Sequence, residues 1–268
     1  MSDLIVIPAR YGSTRLPGKP LLKLAGRTLL ERVVANARRA SELAGGCDVV
    51  VATDDPRIHD HVLSLGAQAI MTPASLNSGS ARAQAAASQC EVPPERVINL
   101  QGDAPFISPT TIAALIDALR NGEAGVATPV YQLDWGRLDR LREHKKSAPF
   151  SGTTCVRDEA GRALWFSKSI LPALRSEEEL RERPMSPVWQ HLGLYAYTME
   201  ALDWFGHAPQ GIYEKLEGLE QLRFLEHGRS IATVPVEPPQ HALSGIDTAH
   251  DLDLAEEAIA RLGDPFDA

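Results

Sequence analysis

The chain has 268 residues, 44% hydrophobic and 23% charged, the balance of a globular protein able to bury a core of its own. A formal net charge of −8 excludes a broad nucleic-acid-binding face, though not a small anion held at one basic spot. Cys47, Cys90 and Cys155 lie far apart with no CxxC pair, which sets aside a zinc ribbon or a disulfide framework. The first residues carry no leader pattern, and no apolar stretch reaches membrane-spanning length. The expectation is a soluble cytoplasmic protein with no membrane and no nucleic-acid partner.

Apolar runs alternate with helical patterns. Residues 4–7 form an unbroken apolar run, a strand buried on both faces, which Pro8 is expected to stop. Thr28-x-x-Glu31 is a capping box opening a helix with Leu29, Leu30, Val33, Val34 and Ala37 on one face. "CDVVVATDD" is a second strand, "RIHDHVLSLG" a short helix stopped by Gly66, and "AQAIMT" a third strand. "RVINLQGDAPFI" is a buried strand breaking at Gly102. "SPTTIAALIDALRNG" is a helix with Ser108 as N-cap, Pro109 in the first turn and Gly122 as stop. This rhythm predicts an α/β fold, a mostly parallel nucleotide-binding sheet flanked by helices.

Past residue 125 the texture changes. "GVATPVYQL" and "TTCVRDEAGRALWFS" are longer strands, the second folded at its Asp-Glu-Ala-Gly turn. The charged stretch 175–187 is expected to be an exposed loop, and "WQHLGLYAYT" one strand with His191, Gly193, Tyr195 and Tyr197 on one side. "MEALDWFG" and "YEKLEGLEQLRFLEHG" are helices, the latter with Leu216, Leu219, Leu222 and Leu225 as a core stripe. "SIATVPV" is a strand, and the last helix opens at Asp247 or Thr248 and closes at Gly263.

Three stretches carry chemistry. In "PARYGSTRLPGKP" a strand end and a helix start are joined by a loop holding Arg10, Arg15 and Lys19, with Gly12 and Gly18 allowing close backbone approach. A triphosphate needs such cations together with free backbone N–H groups. Five residues separate the glycines and Pro20 follows Lys19, so this is no Walker loop, and the G-x-G-x-x-G spacing is absent too. In "NLQGDAP", Asp103 either forms the turn or holds magnesium against phosphates. Asp247 in "SGIDTAHD" is a helix cap, a metal ligand, or both. "LNSGSARAQ" offers Ser78, Ser80 and Arg82, although a polar loop before an alanine-rich helix also accounts for it. In "ATDD", Asp54 and Asp55 miss the D-x-D spacing of glycosyltransferases.

Taken together, "IPARYGSTRLPGKPL", "VATDD", "NLQGDAP", "ALWFSKSILP", "HLGLYAYT", "LEGLEQLRFLEHG" and "GIDTAHDL" resemble the 3-deoxy-manno-octulosonate cytidylyltransferase (CMP-Kdo synthetase) family, in order, from residue 4 to about residue 262. The resemblance implies a single nucleotidyltransferase domain. Its nucleotide-binding core covers about 1–125 and 208–268, with a smaller inserted region for sugar binding and dimerisation at about 126–207. It implies a magnesium-dependent homodimer in which the anomeric hydroxyl of an ulosonic acid attacks the α-phosphate of CTP. Arg10, Lys19 and Asp103 fall on its catalytic positions. Arg10, Gly12, Ser13, Arg15, Lys19, Ser78, Arg82 and Gln101 fall on the nucleotide side. Gln101, Lys168, His191, Tyr195, Glu220 and Gln221 fall on the sugar side, and Asp103 and Asp247 on the metal ligands.

The chain differs from the family pattern at four places. S-G-T-acid-R is Ser78-Gly79-Ser80-Ala81-Arg82, Q-G-D-E-P has Ala104, F-S-R ends in Lys168, and the lysine of P-N-x-V-K-V-V is missing from "FSGTTCV". The phosphate and metal positions are untouched, so the alternatives concern the acceptor: an 8-amino or otherwise modified octulosonate, or another acidic sugar. A nucleotide-binding paralogue without turnover is the rival from another class.

Overall fold

The computed structural model describes residues 2–12, 16–239, 245–246 and 248–266. β1 (Asp3–Ala9) lies in mid-sheet with Ile5, Val6 and Ile7 fully buried, the consequence of being covered on both faces. It runs through Pro8, which pairs with Ala52, instead of stopping there. The Val6 carbonyl accepts from Leu100 N, so by alternation the Pro8 nitrogen faces the same neighbour, where the ladder ends at Val6–Asn99 and no N–H is needed.

A single 3-10 turn (Lys19–Leu21) and a small hairpin, β2 (Lys23–Leu24) with β3 (Arg27–Thr28), lead into α1 (Leu29–Leu43), where the Thr28 hydroxyl accepts from Glu31 N at 3.0 Å. β4 (Asp48–Thr53), α2 (Pro56–Ser64), β5 (Gln68–Met71), α3 (Gly79–Ala87), β6 (Arg96–Asn99) and α4 (Pro109–Asn121) follow as expected. Ser108 caps α4, with Pro109 in its first turn and Gly122 at its end.

The second half holds β7 (Val126–Asp134), α5 (Trp135–Ser147), β8 (Thr153–Arg157), β9 (Ala163–Ser167), a short α6 (Glu177–Leu180), β10 (Met185–His191) and β11 (Tyr195–Thr198). It ends with α7 (Met199–His207), α8 (Ile212–Glu217), α9 (Leu222–Glu226), β12 (Ala232–Pro235) and α10 (Ala249–Leu262), capped by Thr248. Among the described residues ten strands form one sheet, in the order β5-β4-β1-β6-β11-β7-β10-β8-β9 with β12 also beside β7. The β5-β4-β1-β6 portion is parallel, and the pairings from β6–β11 to β8–β9 along that path are antiparallel. Ile5, Ile7, Ile98 and Leu100 pack under α1 and α4; Leu4, Val6 and Val97 pack on the other face under Ala83, Ala86 and Ala87 of α3.

Other expectations change in the second half of the chain. "WQHLGLYAYT" is two strands, because β10 ends at His191 and β11 begins at Tyr195 with different neighbours. "YEKLEGLEQLRFLEHG" is two helices broken at Gly218, whose φ is +63°. Its leucines recur strictly every third residue, a spacing that drifts around a helix, and Leu216 is 75% exposed instead of in the core. The stretch 175–187 contains α6 and the start of β10. The sequence reading did not include α5; of its thirteen residues only Leu138 and Leu141 are buried, too few to mark an apolar face.

Candidate active site

The crevice outside the ends of β1 and β6 is a cleft of about 310 Å³. Open α/β sheets place their ligands at such strand ends. Arg10 follows β1 and is exposed in the cleft wall. The loop folds back where Gly18 N donates to the Tyr11 carbonyl at 3.0 Å. Gly18 takes φ +70°, and a Cβ there would sit 3.1 Å from the Tyr11 ring, so the turn requires glycine. The 3-10 turn then carries Lys19 beneath the cleft, 9% exposed, with its ammonium paired to the Asp103 carboxylate. Asp103 reaches this spot because Gly102 lets the chain pass close: a Cβ on Gly102 would lie 2.8 Å from the Pro8 carbonyl oxygen. The Asp103 carbonyl in turn accepts from Ile246 N at 3.0 Å, tying the segment before α10 to the same point.

α3 supplies the next wall. The Ser78 hydroxyl caps it by accepting from Ala81 N at 3.1 Å. Arg82, 2% exposed, donates to Thr72 Oγ1 at 2.5 Å, to Asp54 Oδ2 at 3.1 Å and to the Leu76 carbonyl at 3.2 Å. Its charge is therefore met by Asp54, and Arg82 shapes the 76–78 loop as well as lining the cleft. The neighbouring Asp55 caps α2. These contacts give "ATDD" its roles.

Ser80, Asn99, Tyr195 and Glu220 form the floor. The Ser80 hydroxyl donates to Glu220 Oε2 at 3.1 Å and accepts from Asn99 Nδ2 at 3.4 Å. Glu220 is open to solvent on one side yet ringed by protein, and this desolvation raises its pKa against the pull of the Ser80 hydrogen bond. Burial raises Tyr195 and Tyr197 as well, so both are neutral phenols. Asn99 was not expected at the site. Its signal was a polar side chain ending the apolar run of β6, and its Oδ1 is buried with no partner among the described residues.

His191 does not line the cleft. It is 8% exposed, behind Tyr195, with ring centroids 5.4 Å apart, and it packs edge-on against Phe166 at 5.1 Å. Burial and the nearby Lys168 charge lower its pKa to about 3. Thr128 Oγ1 gives its one hydrogen to the Leu194 carbonyl at 2.8 Å, so His191 Nε2, 2.9 Å from the same oxygen, must be the donor and Nδ1 the bare acceptor. Gln221 is 4% exposed, and it too lies behind the wall. Lys168 lines a neighbouring cavity with Lys145 and Glu217, not the cleft. Gly12 is exposed and outside the cleft lining. Ser13, Arg15 and Asp247 lie outside the described residues. The cleft thus brings together Arg10, Lys19, Ser78, Arg82, Gln101, Asp103, Tyr195 and Glu220.

A cytidylyltransferase family model matches residues 4–231. A 3-deoxy-manno-octulosonate cytidylyltransferase of Maricaulis maris is 39% identical over 265 residues, 98% of this chain and 99% of its own. An 8-amino-3,8-dideoxy-manno-octulosonate cytidylyltransferase of Shewanella piezotolerans is 37% identical over 265 residues, 97% of this chain and 99% of its own. The solved structure of a CMP:2-keto-3-deoxy-manno-octonic acid synthetase complexed with CTP superposes with a TM-score of 0.83 at 34% identity, covering 97% of this chain and 99% of that one. With its own cleft at the ends of β1 and β6 and these likenesses spanning nearly its whole length, the chain belongs to the cytidylyltransferase family.

Proposed function

We propose that the protein transfers CMP from CTP to the anomeric hydroxyl of a 3-deoxy-manno-octulosonate-type acid and releases pyrophosphate. The observation that carries this reading is the Lys19–Asp103 pair at adjoining strand ends, flanked by Arg10 and the N-terminus of α3. Phosphoryl transfer asks the protein mainly for positioning and neutralisation of charge. Arg10 and Lys19 take up the charge of the triphosphate, and the α3 N-terminus adds its dipole. Tyr195, Gln101 and Glu220 orient the acceptor, whose hydroxyl oxygen bonds to the α-phosphorus as the bond to pyrophosphate breaks and the hydroxyl proton passes to water in the open cleft. Neutral His191 buttresses Tyr195 from behind.

A magnesium requirement fits the donors. Asp103 offers half-buried carboxylate oxygens beside the lysine that meets the phosphates, the hard-oxygen setting this ion prefers. Asp103, with Asp247 from the segment that Ile246 ties to it, would hold the ion. Bound there, magnesium would neutralise phosphate charge and acidify the attacking hydroxyl. Cytoplasmic location and homodimerisation belong to the same reading, the latter checked by mass in solution.

Lys168 favours a second reading of the acceptor. It stands where the family pattern has arginine, and the Shewanella relative is named for the 8-amino acid. Pyrophosphate release with CTP, magnesium and both octulosonates tests the two. Release with either acid supports transfer, and the ratio of kcat/KM names the substrate. Saturable CTP binding without release from any acid would instead support a paralogue without turnover.

A further inference from the structure

The peptide unit of Lys168 is gripped on both sides by charged side chains from separate helices. Glu217, the last residue of α8, accepts from Lys168 N at 2.8 Å with one oxygen and from Ser167 Oγ at 2.7 Å with the other. Lys145 of α5 donates to the Lys168 carbonyl at 2.6 Å, and also to the carbonyls of Gly152, at 3.1 Å, and Ser151. The next residues are fixed as well. The Thr154 hydroxyl donates to the Ser169 carbonyl at 2.7 Å and accepts from Leu171 N at 3.0 Å.

This is more restraint than the end of a strand requires. Backbone groups at such a position are ordinarily met by water or neutral partners, whereas a partly buried ammonium and carboxylate each carry a desolvation cost. Burial does act on both lysines, lowering Lys145 and Lys168 from their ordinary values. Glu217 spends its oxygens on the backbone and Ser167, and among the described residues no ion pair engages the Lys168 ammonium. That ammonium is left for something else, close enough for its charge to act on His191 behind the cleft wall. The chemistry supplies a reason for the grip. An arginine fork orients itself against a carboxylate, but a lysine is a point charge on a flexible stem and can be aimed only by fixing the base of the stem.

We infer that Lys145 and Glu217 are positioning residues for the acceptor: by clamping the Lys168 peptide they aim its ammonium at the carboxylate of the sugar acid. The inference rests on the resemblance that puts Lys168 on the sugar side, with the acceptor reaching beyond the cleft to the cavity that Lys168 lines.

The test is a double-mutant cycle on the full-length protein, with 3-deoxy-manno-octulosonate and its 8-amino analogue as acceptors. Lys145→Met and Glu217→Gln are measured alone and in a Lys168→Ala background, with thermal unfolding of each variant followed in parallel. Expected is a rise of roughly tenfold in KM for the acid in each single variant, the scale of one misplaced charged hydrogen bond, with KM for CTP unchanged. In the Lys168→Ala background neither change adds anything further, because the residue through which they act is gone. Lys145→Arg, which keeps a cationic donor, restores part of the loss. Effects that add in full to Lys168→Ala, or an unchanged KM for the acid in both single variants, overturn the inference. An unchanged KM for the acid in Lys168→Ala itself removes the reading beneath it. If Lys145→Met does not fold, the nearly isosteric Glu217→Gln carries the cycle alone.

Discussion

The two halves of the sheet build their sides of the site in different ways. In the parallel half the reactive groups stand at strand ends and loops: Arg10 and Lys19 after β1, Gln101 and Asp103 after β6, and the cap of α3. Glycines at 18 and 102 let backbone come close, and the charges face the cleft. In the antiparallel half most of the groups lie within the packed interior, although Glu220 is open to solvent. His191 is neutral and buried, Tyr195 and Tyr197 are stacked with centroids 5.9 Å apart, and Glu220 and Gln221 sit at a helix break held by a buried ion pair. A triphosphate needs cations and N–H groups free to meet it, so its half presents them at strand ends that open on the cleft. An acceptor told apart by its hydroxyls needs fixed walls, so its half stores that order in packing. Substitutions should therefore cost activity in the first half and stability in the second.

The sharpest way to break this contrast is the pair Glu214–Arg223. Arg223 donates to both carboxylate oxygens, at 2.5 and 2.8 Å, and both side chains are at most 10% exposed. Glu214→Ala leaves a buried guanidinium without its partner, at a cost of about 3 kcal/mol in denaturant unfolding. Asp103→Asn is the counterpart in the open half. It should reduce turnover roughly a hundredfold, about 2.7 kcal/mol of transition-state stabilisation, and raise the magnesium concentration needed, with a smaller loss of stability than Glu214→Ala because the Lys19 and Asp103 side chains are 11% and 22% exposed and water reaches the pair. A destabilised Asp103→Asn with near-normal turnover would reverse the contrast.

The same division governs what was legible in the sequence. The buried parallel strands are continuous apolar runs, and their helices carry caps that mean one thing only, as at Thr28 and Ser108. Lys19 and Asp103 could be placed because a strand end limits where the next residues go. The antiparallel half gave less. Alternation from His191 to Tyr195 pointed to one strand, and the two residues do meet, but through a change of strand between them. Gly218 sat inside an apparently helical pattern, and its left-handed conformation becomes evident only with the two helices in place. The grip on Lys168 joins residues 23 and 49 apart in the chain, and no local pattern records it.

His191 adds a pH-dependent difference. Its folded pKa of about 3 lies below the ordinary imidazole value of 6.5, so the unfolded state binds the proton more readily. Its contribution is complete above about pH 6.5, and stability falls as the pH drops from there toward 3, by up to about 1.4 kcal/mol per pH unit. His191→Gln should lessen that slope in this window, as urea unfolding at successive pH values would record. An unaltered slope would mean that the imidazole is not held neutral behind Tyr195.

The smallest effect falls on a residue that serves both purposes. Ser78 caps α3 and also lines the cleft, so Ser78→Ala should cost about 1 kcal/mol of stability and weaken CTP binding at the same time. Ser78→Asn separates the two, because asparagine caps a helix as well as serine but carries a bulkier amide into the cleft. If the half-site contrast holds, Ser78→Asn restores the unfolding midpoint while CTP affinity, followed by calorimetric titration, stays reduced. Recovery of both would make the hydroxyl a cap alone, and the nucleotide side of α3 would then rest on its backbone N–H groups and its dipole.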